Sequence, residues 1–186
     1  GHRVGLPDKM DLLVGRLQVN PGGFGFVVPE QVEGEHPADV YVTAANLTEA
    51  MHGDRVVVRV ERHTPKGPEG RIVSVLARGN SVIVGRFEAD GSGRGFVVPF
   101  DRRLLTDIHV PGGQESTAEP GEMVLVEISQ WPTPTRGPAG RIVEVLGHID
   151  EPGVDTAIVI RKHGIPEAHA PEAVAAYERL LARWPA

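Results

Sequence analysis

Apolar residues along this chain recur at every second position in short runs, the period of a strand with one face buried. In Asp54 to Glu61, Val56, Val58 and Val60 alternate with Arg55, Val57, Arg59 and Glu61. The runs "GRIVSVL" and "GRIVEVL" place Val73 with Val75, and Val143 with Val145, on one face, opposite Ser74 and Glu144. Turn-forming clusters separate the runs: Pro21-Gly22-Gly23, Lys66-Gly67-Pro68, Asp90-Gly91-Ser92-Gly93 and Pro111-Gly112-Gly113. After Gly153 the character changes. Pro171 opens a run in which Val174, Tyr177, Leu181 and Trp184 share one helical face, and Pro185 marks its stop. This predicts a helix from Pro171 to Arg183 whose apolar stripe packs against protein.

The pattern also repeats. "GRLQVNPGGFGFVVP" at Gly15 returns as "GRFEADGSGRGFVVP" at Gly85, and "DVYV" at Asp39 returns as "DIHV" at Asp107. "GDRVVVRV" at Gly53 returns as "GEMVLVEI" at Gly121, and "GPEGRIVSVL" at Gly67 as "GPAGRIVEVL" at Gly137. The offsets run from 107 − 39 = 68 to 85 − 15 = 70, always in the same order. Such ordered self-similarity marks two copies of one unit. About five short strands per copy, rich in valine, indicate a small closed barrel, since closure removes exposed strand edges. The chain is therefore expected to be all-β: barrels over 10–78 and 79–150, then a linker and a short C-terminal helical segment over 151–186.

Within "NPGGFGFVVPE" the strand period puts Phe24, Phe26 and Val28 on one face, with Gly25 and Val27 on the other. In "DVYV" Tyr41 lies opposite Val40 and Val42. If the valines point inward, Phe24, Phe26 and Tyr41 stand together outside as an aromatic platform. The other reading has the phenylalanines plugging a barrel end, with Gly25 marking a bulge. The second copy replaces the three rings by Arg94, Phe96 and His109. Arg94 can pair with a phosphate or stack on a base. Alternatively, the second barrel has become a structural spacer.

Composition narrows the classes. The 186 residues are 40% apolar and 24% charged, as in a folded chain, and only 5% aromatic, so the clustered rings are a concentrated feature. There is no cysteine, which excludes disulfides and thiolate metal sites and suits a reducing cytoplasm. No apolar run reaches the roughly 20 residues of a membrane span. The formal net charge of −6 argues against binding nucleic acid by bulk electrostatics, but not against a local stacking surface. Backbone contacts can come from Arg16, Arg55, Arg59, Arg71, Arg86, Arg102, Arg103, Arg136 and Arg141. The 8 histidines show no metal-ligand spacing, and His52 reads as a turn residue. "GSGRGF" precedes a strand where a dinucleotide loop needs a helix. Asp101, Asp107, Asp150, Glu151 and Asp155 are scattered among turns, without the convergence of a two-metal centre.

"GGFGFV" with "DVYV" resembles the paired RNA-binding motifs of cold-shock domains, which are five-stranded OB-type barrels. The tandem arrangement, "HGD" before "RVVV", "GRFEADGSGRGFVVPFDRR…DIHVPG", "GRIVEVLG" and "VDTAIVIRKHGIP" resemble the N-terminal cold-shock pair of the ribonuclease R family. These are 3′→5′ exoribonucleases of the ribonuclease II superfamily. The resemblance runs from Leu6 to Trp184. It implies two tandem OB-fold barrels that grip single-stranded RNA through Phe24, Phe26, Tyr41, Arg94, Phe96 and His109. It also implies that the aspartate cluster holding Mg²⁺ belongs to a catalytic domain of the same polypeptide, absent from this chain, toward which the barrels guide the 3′ end. Two other readings stay open. One is a free-standing RNA chaperone or ribosome-associated barrel, since "HGDRVVV" also resembles the strand entry of SH3-like ribosomal barrels. The other is a protein-interaction scaffold that never touches RNA.

Overall fold

A computed structural model describes residues 11–31, 37–114 and 117–163. The first barrel comprises β1 (Leu12–Val19), β2 (Gly25–Pro29), β3 (Val40–Val42), β4 (Arg55–Thr64) and β5 (Gly67–Ala77). The second comprises β6 (Val82–Ala89), β7 (Gly95–Pro99), β8 (Ile108–Val110), β9 (Glu122–Gln130) and β10 (Ala139–His148), followed by helix α1 (Val154–His163). Each sheet closes on itself in the same order, β1-β2-β3-β5-β4 and β6-β7-β8-β10-β9. The repeat in the sequence is thus a repeat of topology: two five-stranded barrels of OB type, as expected.

Each barrel is filled by the inward residues of the alternating runs. Leu17, Val27, Val40, Val42, Val56 and Val58 are fully buried in the first, and Val97, Ile108, Val124 and Val126 in the second. The core has no room beside certain glycines. A Cβ on Gly15 would stand 2.4 Å from the carbonyl oxygen of Val28, and one on Gly85 at the same distance from that of Val98. Gly70 and Gly140 face the carbonyls of Arg59 and Glu127 at 2.3 and 2.5 Å. The "GR" pairs that mark both ends of the repeat therefore record close strand approach.

One expectation is corrected. Val73 and Val75 do not share a face, nor do Val143 and Val145. Val57 pairs with Ser74 and Val58 with Ile72, leaving Val73 as an extra residue, and Val143 is extra between Ile142 and Glu144. These β-bulges break the period of two. Val73 and Val143 end up exposed while Ile72 and Ile142 take the core positions. Strict alternation fails because the strands must bend to close the barrel.

The helix expected over Pro171–Arg183 lies outside the described residues. Helix α1 lies earlier and was not among the predicted elements. Val154 and Ile158, one turn apart, are buried against Val84 and Met123 at the end of the second barrel. Asp155 in its first turn and Arg161, Lys162 and His163 in its last match the helix dipole. Arg161 donates to Glu144 of β10 from Nε and Nη2, both at 2.8 Å.

A buried carboxylate joins the barrels. Asp54, 1% exposed, accepts hydrogen bonds from the backbone N–H groups of Met51 (2.9 Å) and Gly79 (2.8 Å) and from Arg78 Nη1 (2.9 Å). The Arg78 guanidinium lies 4.7 Å over the ring of Trp131 in the second barrel. Asn80 Nδ2 donates to the His52 carbonyl at 2.7 Å. The linker between the barrels is thus bonded to the turn that precedes β4.

Candidate nucleic-acid interface

The face of the first barrel opposite its core carries the aromatic residues. Phe26 on β2 pairs in register with Tyr41 on β3 and with Gln18 on β1. Val27 and Val40, one residue along, are fully buried, so alternation sends Phe26 and Tyr41 outward. Phe24 joins them from the β1–β2 turn. The ring centroids lie 6.0 Å (Phe24–Phe26), 5.7 Å (Phe24–Tyr41) and 5.5 Å (Phe26–Tyr41) apart, in edge and tilted arrangements. Phe26 is 39% exposed although it is a large apolar side chain. The rings form an outer cluster rather than plugs of the barrel end.

The turn that sets Phe24 follows from its sequence. Asn20 Oδ1 accepts the N–H of Gly22 at 2.8 Å, and Gly23 adopts a positive φ of 91° that a side chain would resist. The chain then returns as β2 with Asn20 N–H bonded to the Phe24 carbonyl at 2.7 Å. The second barrel builds the same turn on Asp90, with Gly93 at φ 79°. There Arg94 is ion-paired to Asp90, and Phe96 pairs across the strands with His109. Arg86 is also paired to Glu88, which replaces Gln18. The structure therefore brings Phe24, Phe26 and Tyr41 together on one face, and Phe96 and His109 on another, with Arg94 turned toward its own carboxylate.

Of the other arginines, Arg55 is bonded to Glu30, Arg71 to Glu61, Arg103 to Asp101 and Arg141 to Glu127. Arg16 Nη1 donates to the Gly53 carbonyl at 3.2 Å. Arg59, Arg102 and Arg136 show no ion pair among the described residues. His52 Nδ1 accepts the Val19 N–H at 3.1 Å, and burial, then the Arg103 charge, hold its pKa below the ordinary value. It is a neutral structural acceptor in its turn.

Two residues that the pattern alone did not single out border the rings. Gln18 stands directly across from Phe26. Lys66, in the β4–β5 turn, lines a groove of about 400 Å³ with Phe26, Tyr41, Asp39 and Glu69. The outward phase of β1 contained the signal for Gln18. Lys66 was legible only as part of a turn, because its nearness to the rings depends on barrel closure. Among the described residues no group of three or more His, Asp or Glu can hold a metal ion.

Residues 15–75 match the family model described as Ribonuclease B OB domain, and residues 96–169 match the one described as Cold shock domain. The chain is 38% identical over 170 residues to Ribonuclease R of Vibrio parahaemolyticus, covering 91% of this chain and 20% of that protein. It is 40% identical over 162 residues to Ribonuclease R of Escherichia coli, covering 87% of this chain and 19% of that protein. The chain carries the paired barrels of the ribonuclease R family. It spans about a fifth of the length of these relatives. A solved structure titled Mycoplasma genitalium RNase R in complex with ribose methylated single-stranded RNA superposes with a TM-score of 0.74 at 18% identity. It covers 85% of this chain and 25% of that one, and at this identity it bears on the fold alone. No described helix is long and apolar enough to cross a membrane.

Proposed function

We propose that this ribonuclease R-type tandem barrel binds single-stranded RNA by stacking bases on Phe24, Phe26 and Tyr41. The observation that carries the reading is the three-ring cluster, exposed at Phe26 and half-buried at Phe24 and Tyr41, outside a barrel whose core is aliphatic. An apolar ring left 39% exposed stabilises no core, whereas each stacked base is worth about 1–3 kcal/mol by alanine substitution. Stacking also suits a chain of net charge −6, because it does not depend on bulk attraction. A duplex hides its base faces, so the rings select unpaired strands. Phe96 and His109 give the second barrel a weaker stacking surface, with its cations neutralised locally.

In the cytoplasm, the barrels of such a nuclease steer the 3′ end toward a Mg²⁺-dependent catalytic domain, and the chemistry lies outside the residues described. The test is fluorescence anisotropy of this chain with a labelled single-stranded oligoribonucleotide and with its duplex. Saturable binding of the single strand, much tighter than the duplex, supports the reading. Equal binding of both forms at every salt concentration contradicts it.

A further inference from the structure

The two barrels are copies of one unit, yet a helix covers the outer face of only one of them among the described residues. Helix α1 lies across β6, β9 and β10. Its Val154 and Ile158 pack with Val84 and Met123, and Leu125 and Leu146 close against that cluster. Val84 and Met123 point outward in the strand phase, but under the helix they are only 6% and 3% exposed.

In the first barrel the corresponding positions are Val14, Arg55, Val57 and Leu76, at the repeat offsets of 68 and 70. Val14 pairs with Val57, and Val57 with Ser74, as Val84 pairs with Leu125 and Leu125 with Glu144. The same three strands thus build a matching apolar face. Among the described residues no α-helix packs on it. Leu76 is 48% exposed there, and Val14 and Val57 are half-buried.

The sequence carries an unassigned segment of matching character. Val174, Tyr177, Leu181 and Trp184 form an apolar stripe at helical spacing. A helix this short is marginal alone in water, so the stripe requires a protein surface. On the second barrel that surface is already taken by α1. Helix α1 ends at His163, which lines the cleft between the barrels together with Arg16. Arg16 shares the outward phase of β1 with Val14, about 7 Å along the strand. Residues 164–170 span about 25 Å when extended, which brings the stripe within reach of the face.

We propose that residues 171–184 dock their apolar stripe on the outer face of the first barrel formed by Val14, Val57 and Leu76. Successive segments of one chain then clasp the two barrels in turn, α1 on the second and this segment on the first. The two are not interchangeable. Glu144 accepts Arg161 of α1, whereas Ser74 holds the equivalent place in the first barrel and offers no charge. Phe26 and Tyr41 lie on β2 and β3, so the docked segment leaves the rings open, and the proposal is independent of the stacking reading.

The chain has no cysteine, so an introduced pair is unique. The full chain carrying Leu76→Cys with Leu181→Cys, or with Val174→Cys, is treated with a short bismaleimide, and crosslinked monomer is followed by gel shift. The control pair is Gly91→Cys with Leu181→Cys, its first thiol in the open turn between β6 and β7. Docking raises the effective concentration of one thiol at the other, so at least one Leu76 pair should close about tenfold faster than the control. Adding Tyr177→Glu and Trp184→Glu, which lie outside both described cores, should remove that advantage.

Leu76 pairs that close no faster than the control overturn the proposal. Fast closure that Tyr177→Glu and Trp184→Glu leave unchanged also overturns it, because the tether alone then brings the thiols together. Crosslinks that join two chains overturn it as well, since a second copy then covers the face.

Discussion

The guanidinium of Arg94 is held by the carboxylate of Asp90, with Nε donating to Oδ2 at 2.8 Å. In the first barrel the corresponding positions are Phe24 and Asn20. A ring goes with a neutral amide, and a cation goes with an anion. Asp90 also accepts from the Ser92 hydroxyl at 2.6 Å and the Ser92 N–H at 2.8 Å. These bonds, the hydroxyl foremost, keep its carboxyl well below the ordinary value, so the anion persists through the neutral and mildly acidic range.

It follows that Arg94 is neutralised where it stands. Asp90→Asn, which restores the first-barrel residue, should free the guanidinium for phosphate and steepen the salt slope of RNA binding by about 0.7. Arg94→Ala in the parent chain should change the slope little. A salt titration of both variants checks this, and an unchanged slope in a folded Asp90→Asn protein contradicts it.

Gly70→Ala should destabilise the first barrel. Its Cβ would meet two backbone atoms of Arg59, the oxygen at 2.3 Å and the carbon at 3.0 Å, and backbone in a closed sheet cannot step aside. The expected loss is about 1–3 kcal/mol, as for other overpacked sites. Gly91→Ala, with open space around the Cβ, should stay within about 0.5 kcal/mol of the parent. Chemical denaturation of the two variants separates these outcomes.

Much of this architecture is legible in the chain. The alternation of Val56 and Val58 with Arg55 and Arg59, and the ordered repeat, predict two barrels because a period of two maps directly onto inside and outside. The same logic places Phe26 and Tyr41 outside once Val27 and Val40 are inside. What the pattern does not carry is anything set by closure. The bulge at Val73 flips the phase of β5 without a local signal, since valine serves either face of a strand. Nothing in the pattern marks Asp54, yet it becomes the buried acceptor of the joint because Arg78 arrives from the end of β5. Lys66 and the interbarrel cleft depend likewise on contacts between distant segments.

The joint region should show a defined acid response. The Arg103 side chain, bonded to Asp101 by Nε at 2.9 Å and Nη2 at 2.6 Å, holds the Asp101 carboxyl well below its ordinary value of 3.8, against the opposing effect of burial. A carboxylate whose pKa is lower when folded adds stability that is complete above its unfolded pKa and fades as pH falls toward its folded pKa. The melting-temperature gap between the parent and Asp101→Asn should therefore hold steady from neutrality to about pH 5 and narrow below about pH 4. A gap that widens on acidification contradicts the pairing.

The central claim is that the rings on the first barrel bind bases and do not support the fold. The direct measurement is single-stranded RNA affinity and melting temperature on one protein, Phe26→Ala, beside the core variant Leu17→Ala. Phe26→Ala should lose about 1–3 kcal/mol of binding, about 5- to 150-fold in affinity, with its melting temperature near that of the parent. Leu17→Ala, emptying a fully buried position, should instead lose about 2–5 kcal/mol of stability. A Phe26→Ala protein that melts as early as Leu17→Ala, or that stays folded and binds RNA as tightly as the parent, contradicts the account.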